Sequence, residues 1–124
     1  SLALVRLRGI GPVLAARILK YRESLGGYAD LSQLKEIYGM DTIALRTIIP
    51  YLSVDASVIR KMNLNTATLR ELLRHPYLEY EDVKQIVNYR DRHHPVDSLN
   101  ALYSIEGLRP ELVTRILPYL TTGL

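Results

Sequence analysis

The residues with the clearest chemical potential lie in one run, Leu7 to Arg22, which reads LRGIGPVLAARILKYR. Gly9, Ile10, Gly11 and Pro12 form a tight turn, and Pro12 suits the first position of a helix. Glycines can take positive φ and leave no side chain over the turn. Their N–H groups can converge with the unpaired N–H groups of the helix start, where the helix dipole is positive. That concavity suits an anion of the phosphate type, held by backbone groups. Arg6, Arg8 and Arg17 add charge around it, and Lys20, one turn past Arg17, extends the basic face. Ile10 is expected to plug the core while offering its backbone to the same turn. Ala15 and Ala16 are expected to let helices approach closely.

Other reactive residues make weaker constellations. His93 and His94 are adjacent, so their side chains diverge, and no suitably spaced carboxylate pair joins them. A connector role is expected, with no metal. Glu79, Glu81 and Asp82 crowd one helix start and give no convergent cation site. His75 precedes Pro76 at a helix end and needs no catalytic role. The absence of cysteine excludes thiol catalysis, Cys-zinc sites and disulfides. No nucleophile–base constellation stands out, so no enzyme activity, cofactor or small-molecule substrate is expected. No apolar run approaches the roughly 18 residues of a membrane helix. The chain opens on Ser1, which points to a piece of a longer protein.

The 124 residues carry a net charge of only +3, unevenly spread. Residues 1–62 hold nine lysines and arginines against five acids, a net +4. Residues 63–124 hold seven against eight, a net −1. A polyanion should therefore favour the first half.

The elements that position these residues are repeated. RILKYR (17–22) echoes QIVNYR (85–90), and IIPYL (48–52) echoes ILPYL (116–120), both at an offset of 68. The register holds without a gap, pairing Ile18 with Ile86, Leu34 with Leu102, Gly39 with Gly107 and Tyr51 with Tyr119. Two copies of one helical unit are expected: 1–53 and 63–124, with a 54–62 linker. Copy one should hold helices near 12–24, 31–37 and 42–49, with Gly11, Asp30 and Asp41 as caps. In copy two, Thr68 and Glu71 make a capping box. A longer helix follows over 80–92, Ser98 caps a short one, and Pro110 opens the last. No window shows a period of two, so no sheet is expected. Tyr21, Tyr51, Tyr89 and Tyr119 recur in register and are expected in the core. Arg22 and Arg90 recur too, and are expected to cap a helix end or loop.

A weaker echo at an offset of 30 aligns Gly9 with Gly39, so each unit reads as two helix-turn-helix hairpins. Only the first turn keeps two glycines. Gly39-Met40-Asp41-Thr42 replaces the second glycine with an aspartate, which uses the free N–H groups and repels phosphate. Gly107-Leu108-Arg109-Pro110 keeps one glycine and adds a cation, a plausible secondary contact through Gly107 and Arg109. HPYLEYED (75–82) has no glycine and three carboxylates. There Tyr77 and Tyr80 are the residues to offer to a protein partner.

A glycine–apolar–glycine turn between helices, followed by small residues, resembles the helix-hairpin-helix motif. The whole unit is similar to the ComEA-like domain of bacterial competence proteins. The matching parts are NTATLRELL (65–73), RGIGPVLAARILKYR (8–22), GGY (26–28) and IYGMDTIALRTI (37–48). The resemblance implies an all-α chain of two tandem helix-hairpin-helix units of about four short helices each, the second degenerate. It also implies sequence-independent binding of double-stranded DNA through Arg6, Arg8, Gly9, Ile10, Gly11, Arg17, Lys20, Gly107 and Arg109. In ComEA-like proteins this serves DNA uptake in the cell envelope. The alternative is a protein-interaction or assembly module, with a partner on the second unit.

Overall fold

A computed structural model describes residues 10–124. Arg6, Arg8 and Gly9 lie outside the described residues. The chain divides into two compact units, Ser1–Ile59 and Arg60–Leu124. The described residues are mostly helical, with almost no strand.

In the first unit, α1 spans Pro12–Leu25, a 3-10 helix spans Leu31–Glu36, and α2 spans Thr42–Ile48 before a 3-10 turn at Ile49–Tyr51. Pro12 opens α1 because its missing N–H costs nothing there. Asp41 starts α2 by accepting the Ala44 N–H at 2.7 Å. The Asp30 N–H donates to Gln33 Oε1 at 3.0 Å, which fixes the entry to the 3-10 helix. One apolar cluster joins these elements: Ile10, Ala15, Ile18, Leu34, Ile37, Leu45 and Ile48. Ala15 is buried, as close packing requires, whereas Ala16 is exposed.

In the second unit, α3 spans Leu69–Leu73, α4 spans Tyr80–Arg92 and α5 spans Pro110–Ile116, with 3-10 helices at Leu99–Ser104 and Leu117–Tyr119. Thr68 Oγ1 accepts the Glu71 N–H at 3.0 Å, and Glu71 Oε1 accepts the Thr68 N–H at 3.4 Å. Leu72, Val83, Ile86, Leu102, Val113 and Ile116 are fully withdrawn from water.

Two expectations need correction. A sheet does exist, though a minimal one: β1 (Met62–Asn63) pairs in parallel with β2 (Leu120–Thr121), Met62 opposite Leu120. Two residues are too few to show a period of two. The repeated tyrosines also part company, since Tyr119 is fully buried while Tyr51 is 71% exposed. Tyr119 packs on His75 and Tyr77, with ring centroids at 4.6 and 6.2 Å. The repeat equivalents of those two rings are Leu7 and Gly9, which offer no aromatic face.

The stretch expected as a linker splits between the units. Val54, Asp55 and Val58 line a groove with Ile18 and Leu34, while Met62 and Asn63 join the second unit through β1. With the division after Ile59, Arg60 and Lys61 fall in the second unit. The first unit then holds seven cations against five acids and the second nine against eight. Net charges of +2 and +1 replace the apparent contrast of +4 and −1.

Candidate functional site

Four helices begin after a hairpin turn, and their starts can be compared. Gly11, Asp41, Glu79 and Arg109 stand at equivalent N-cap positions, all in extended backbone. Gly11 (φ −88°, ψ 174°) and Asp41 (φ −89°, ψ 173°) have almost the same geometry. Gly11 therefore does not use positive φ, contrary to the sequence expectation, and any residue could adopt its backbone. Nor does packing demand glycine there, because a Cβ at Gly11 meets nothing within 4 Å among the described residues.

The difference between the starts is what covers the first-turn N–H groups. At α2 the Asp41 carboxylate occupies one. At α4 the Asp82 carboxylate accepts the Glu79 N–H at 2.9 Å, and Glu81 adds further negative charge. At α1 no side chain among the described residues caps the helix, and no acid sits in the first turn. Pro12 has no N–H, so Val13 and Leu14 carry the amides that an anion would meet. At α5 Arg109 is exposed and uncapped behind Pro110.

Beneath two of the turns, Ile10 and its repeat equivalent Leu78 are both buried, 5% and 4% exposed. Ile10 thus reaches the surface only through its backbone. The turn above Leu78 is closed by aromatic packing. Tyr77 is buried against His75 at 5.0 Å between centroids, and the Arg115 guanidinium lies 4.0 Å from its ring centre. Tyr77 is therefore core and cannot be offered to a partner, whereas Tyr80 is 52% exposed.

Arg17 is half-buried and engaged. Its Nη1 donates to the Tyr38 carbonyl at 2.9 Å, and its guanidinium lies 5.0 Å from the Tyr38 ring centre. Gly39, next in the chain, sits at φ +88°, and a Cβ there would come within 2.6 Å of Arg17 Nη1. The second unit repeats the arrangement with Gly107 at φ +89° and Gln85 in place of Arg17. These two glycines need the left-handed backbone. The same offset of 68 links both pairs, and that was the sequence signal for the contact. Arg17 places its charge between the α1 face and the Gly39 turn. Lys20 is exposed beside it, on a shallow cleft of about 260 Å³ that Glu36 also lines. The Glu36 carboxylate accepts the Tyr21 hydroxyl at 2.6 Å.

Of the expected contacts, Ile10, Gly11, Arg17 and Lys20 belong to the first unit, and Gly107 and Arg109 to the α5 turn of the second. His93 stacks on Tyr89 at 4.3 Å, and no group of three metal-ligating side chains occurs among the described residues. Among them no helix is long and apolar enough to cross a membrane.

The helix-hairpin-helix motif matches twice, over residues 2–53 and 57–121. Such motifs are generally nucleic-acid binding. The chain is also similar to Endonuclease/exonuclease/phosphatase family domain-containing protein 1 from Xenopus laevis, at 25% identity over 134 residues. The same protein from Danio rerio matches at 26% and that from Mus musculus at 23%. Each match covers 91% of this chain but only 24–25% of the relative, so the chain spans about a quarter of their length. No solved structure matches significantly. Two matches that together take in most of the 124 residues place this chain in the helix-hairpin-helix family.

Proposed function

We propose that the chain is a non-catalytic module that binds double-stranded DNA without sequence preference, through backbone amides and cations on phosphate. The observation that carries this reading is the start of α1. Among the described residues neither φ nor packing requires Gly11 there, and none of them covers the first-turn amides with a side chain. Arg17 and Lys20 lie one and two turns further along α1, and Arg6, Arg8 and Gly9 precede it in sequence. Gly107 and Arg109 supply a secondary contact on the second unit. Such contacts position a backbone and read no base.

The ComEA-like likeness would set this activity in DNA uptake at the cell envelope. The relatives instead carry the name of a nuclease-type family and are far longer. We favour the coarser role, a DNA-holding module within a longer polypeptide. Titration with unrelated duplexes at two salt concentrations tests it. With about four phosphates neutralised, the log–log salt slope should be about −3.6 and the same for every sequence. Affinity that ignores salt, or one duplex strongly preferred, overturns the proposal.

A further inference from the structure

Two large apolar side chains beside the start of α1 are left in water. Val13, the second residue of the helix, is 64% exposed, and Tyr38, which precedes the Gly39 turn, is 83% exposed. The offset of 68 carries Val13 to Glu81 and Tyr38 to Glu106, and both glutamates are exposed in the second unit. The same helical frame fills these two places with carboxylates, so packing calls for no apolar side chain at either.

The two side chains share one surface. Arg17 stands one turn after Val13 on the same face of α1. Its guanidinium lies 5.0 Å from the Tyr38 ring centre, and its Nη1 donates to the Tyr38 carbonyl at 2.9 Å. Tyr38 is thus held at both its ring and its backbone while it remains exposed. Lys20 continues the basic edge by a further turn, beside Arg17 and Tyr38 on the same shallow cleft.

A phosphate on the Val13 and Leu14 amides carries a sugar on either side. The Val13 side chain rises from the residue whose N–H meets that phosphate, so a sugar is what comes to lie against it. Cations suit the charge of the strand, and apolar side chains suit its carbon atoms. Deoxyribose presents a methylene at C2′, whereas ribose presents the hydroxyl by which proteins tell RNA from DNA. A hydroxyl pressed against valine and the tyrosine ring loses water and gains no partner.

We propose that Val13 and Tyr38 are specificity residues: they pack on the deoxyribose beside the bound phosphate and select DNA over RNA. The inference rests on the DNA-binding reading above and adds the part of the strand that is recognised, its sugar. No base is read.

The test is fluorescence anisotropy of the full chain with a DNA duplex and an RNA duplex of the same sequence. The DNA should bind about tenfold more tightly, the scale of one hydroxyl buried without a partner. Val13→Ser and Tyr38→Ser, both at exposed positions, should keep the thermal melt. Each should weaken DNA binding several-fold and leave RNA binding nearly unchanged. Neither removes a charge, so the salt slope for DNA should stay the same, unlike the loss of a phosphate contact. Tyr51→Ser, also at an exposed tyrosine but on the 3-10 turn after α2, should alter neither affinity. Equal binding of the two duplexes, or a preference for RNA, would overturn the proposal. So would a preference that both variants leave intact, which would assign it to the groove shapes of the duplexes, or one that Tyr51→Ser also removes. Binding of neither duplex would overturn the DNA reading itself, and this inference with it.

Discussion

Replacing Gly11 with aspartate should move stability and DNA affinity in opposite directions. Asp41 shows what a carboxylate does at this backbone geometry, because its φ and ψ match those of Gly11 to within a degree or so. By analogy the new carboxylate would accept the Leu14 N–H as Asp41 accepts that of Ala44 at 2.7 Å. Aspartate in place of glycine at an N-cap is worth a few tenths of a kcal/mol, and a negative charge at the helix start adds about 0.3–1 kcal/mol. For a unit of this size the midpoint of thermal unfolding should rise by roughly 2–10 °C. A phosphate seated on the Val13 and Leu14 amides would lie about 5 Å from that carboxylate. The repulsion there is about 1–3 kcal/mol between solvent-like and surface-like dielectric, or roughly 5- to 150-fold in affinity. Thermal melts and fluorescence anisotropy with a duplex at low salt read the two quantities. The salt slope should shrink by about 0.9 as one contact is lost. Gly11→Ala, which adds bulk without charge, should cost much less affinity, and Asp41→Gly should cost stability and gain affinity. A Gly11→Asp protein that folds, melts higher and still binds duplex at full strength would refute the phosphate reading. One that melts lower would refute the cap equivalence.

Three further outcomes can be checked together. Gly39→Ala should destabilise more than Gly107→Ala in urea unfolding. Each pays about 1–2 kcal/mol for a left-handed non-glycine. At Gly39 the Cβ must also displace Arg17 Nη1 from 2.6 Å, whereas at Gly107 the Gln85 side chain stands off at 3.3 Å. Arg90→Ala should cost the second unit about 2–3 kcal/mol, since the Leu64 and Ala67 carbonyls lose a charged donor. The hydroxyl and N–H of Ser57 both donate to Asp55 and hold its carboxyl below the ordinary carboxylate range. A lowered folded pKa means the contribution is present at neutral pH and lost as pH falls through that range. The Asp55 side-chain carbon should therefore titrate below the ordinary aspartate range, and Ser57→Ala should bring it back toward that range.

Much of the fold was legible because local chemistry and repetition agreed. Thr68 with Glu71, Asp41 and Pro110 mark helix starts that the structure places at those residues. The offset of 68 identified Gly39 and Gly107 as one position, and both take the same left-handed backbone. What was not legible depended on partners distant in sequence. Tyr51 and Tyr119 are identical in register, yet only Tyr119 has rings to pack on. Tyr77 reads as a surface residue in a charged loop until Tyr119 and Arg115 are seen around it. The division after Ile59 is set by contacts of 54–58, which carry no strong local signal. At the α1 start a tight glycine turn suggests positive φ, whereas Gly11 has the extended backbone of an ordinary helix N-cap.

The parallel pairing of β1 with β2 joins the entry of the second unit to its exit. A tether pulling on both ends of this unit would draw the two strands past one another along their length. The hydrogen bonds from Leu64 and Asn65 to Thr121 and Thr122 would then be loaded together, not peeled one at a time. Under such a pull the pairing of this unit's two strands is loaded in shear.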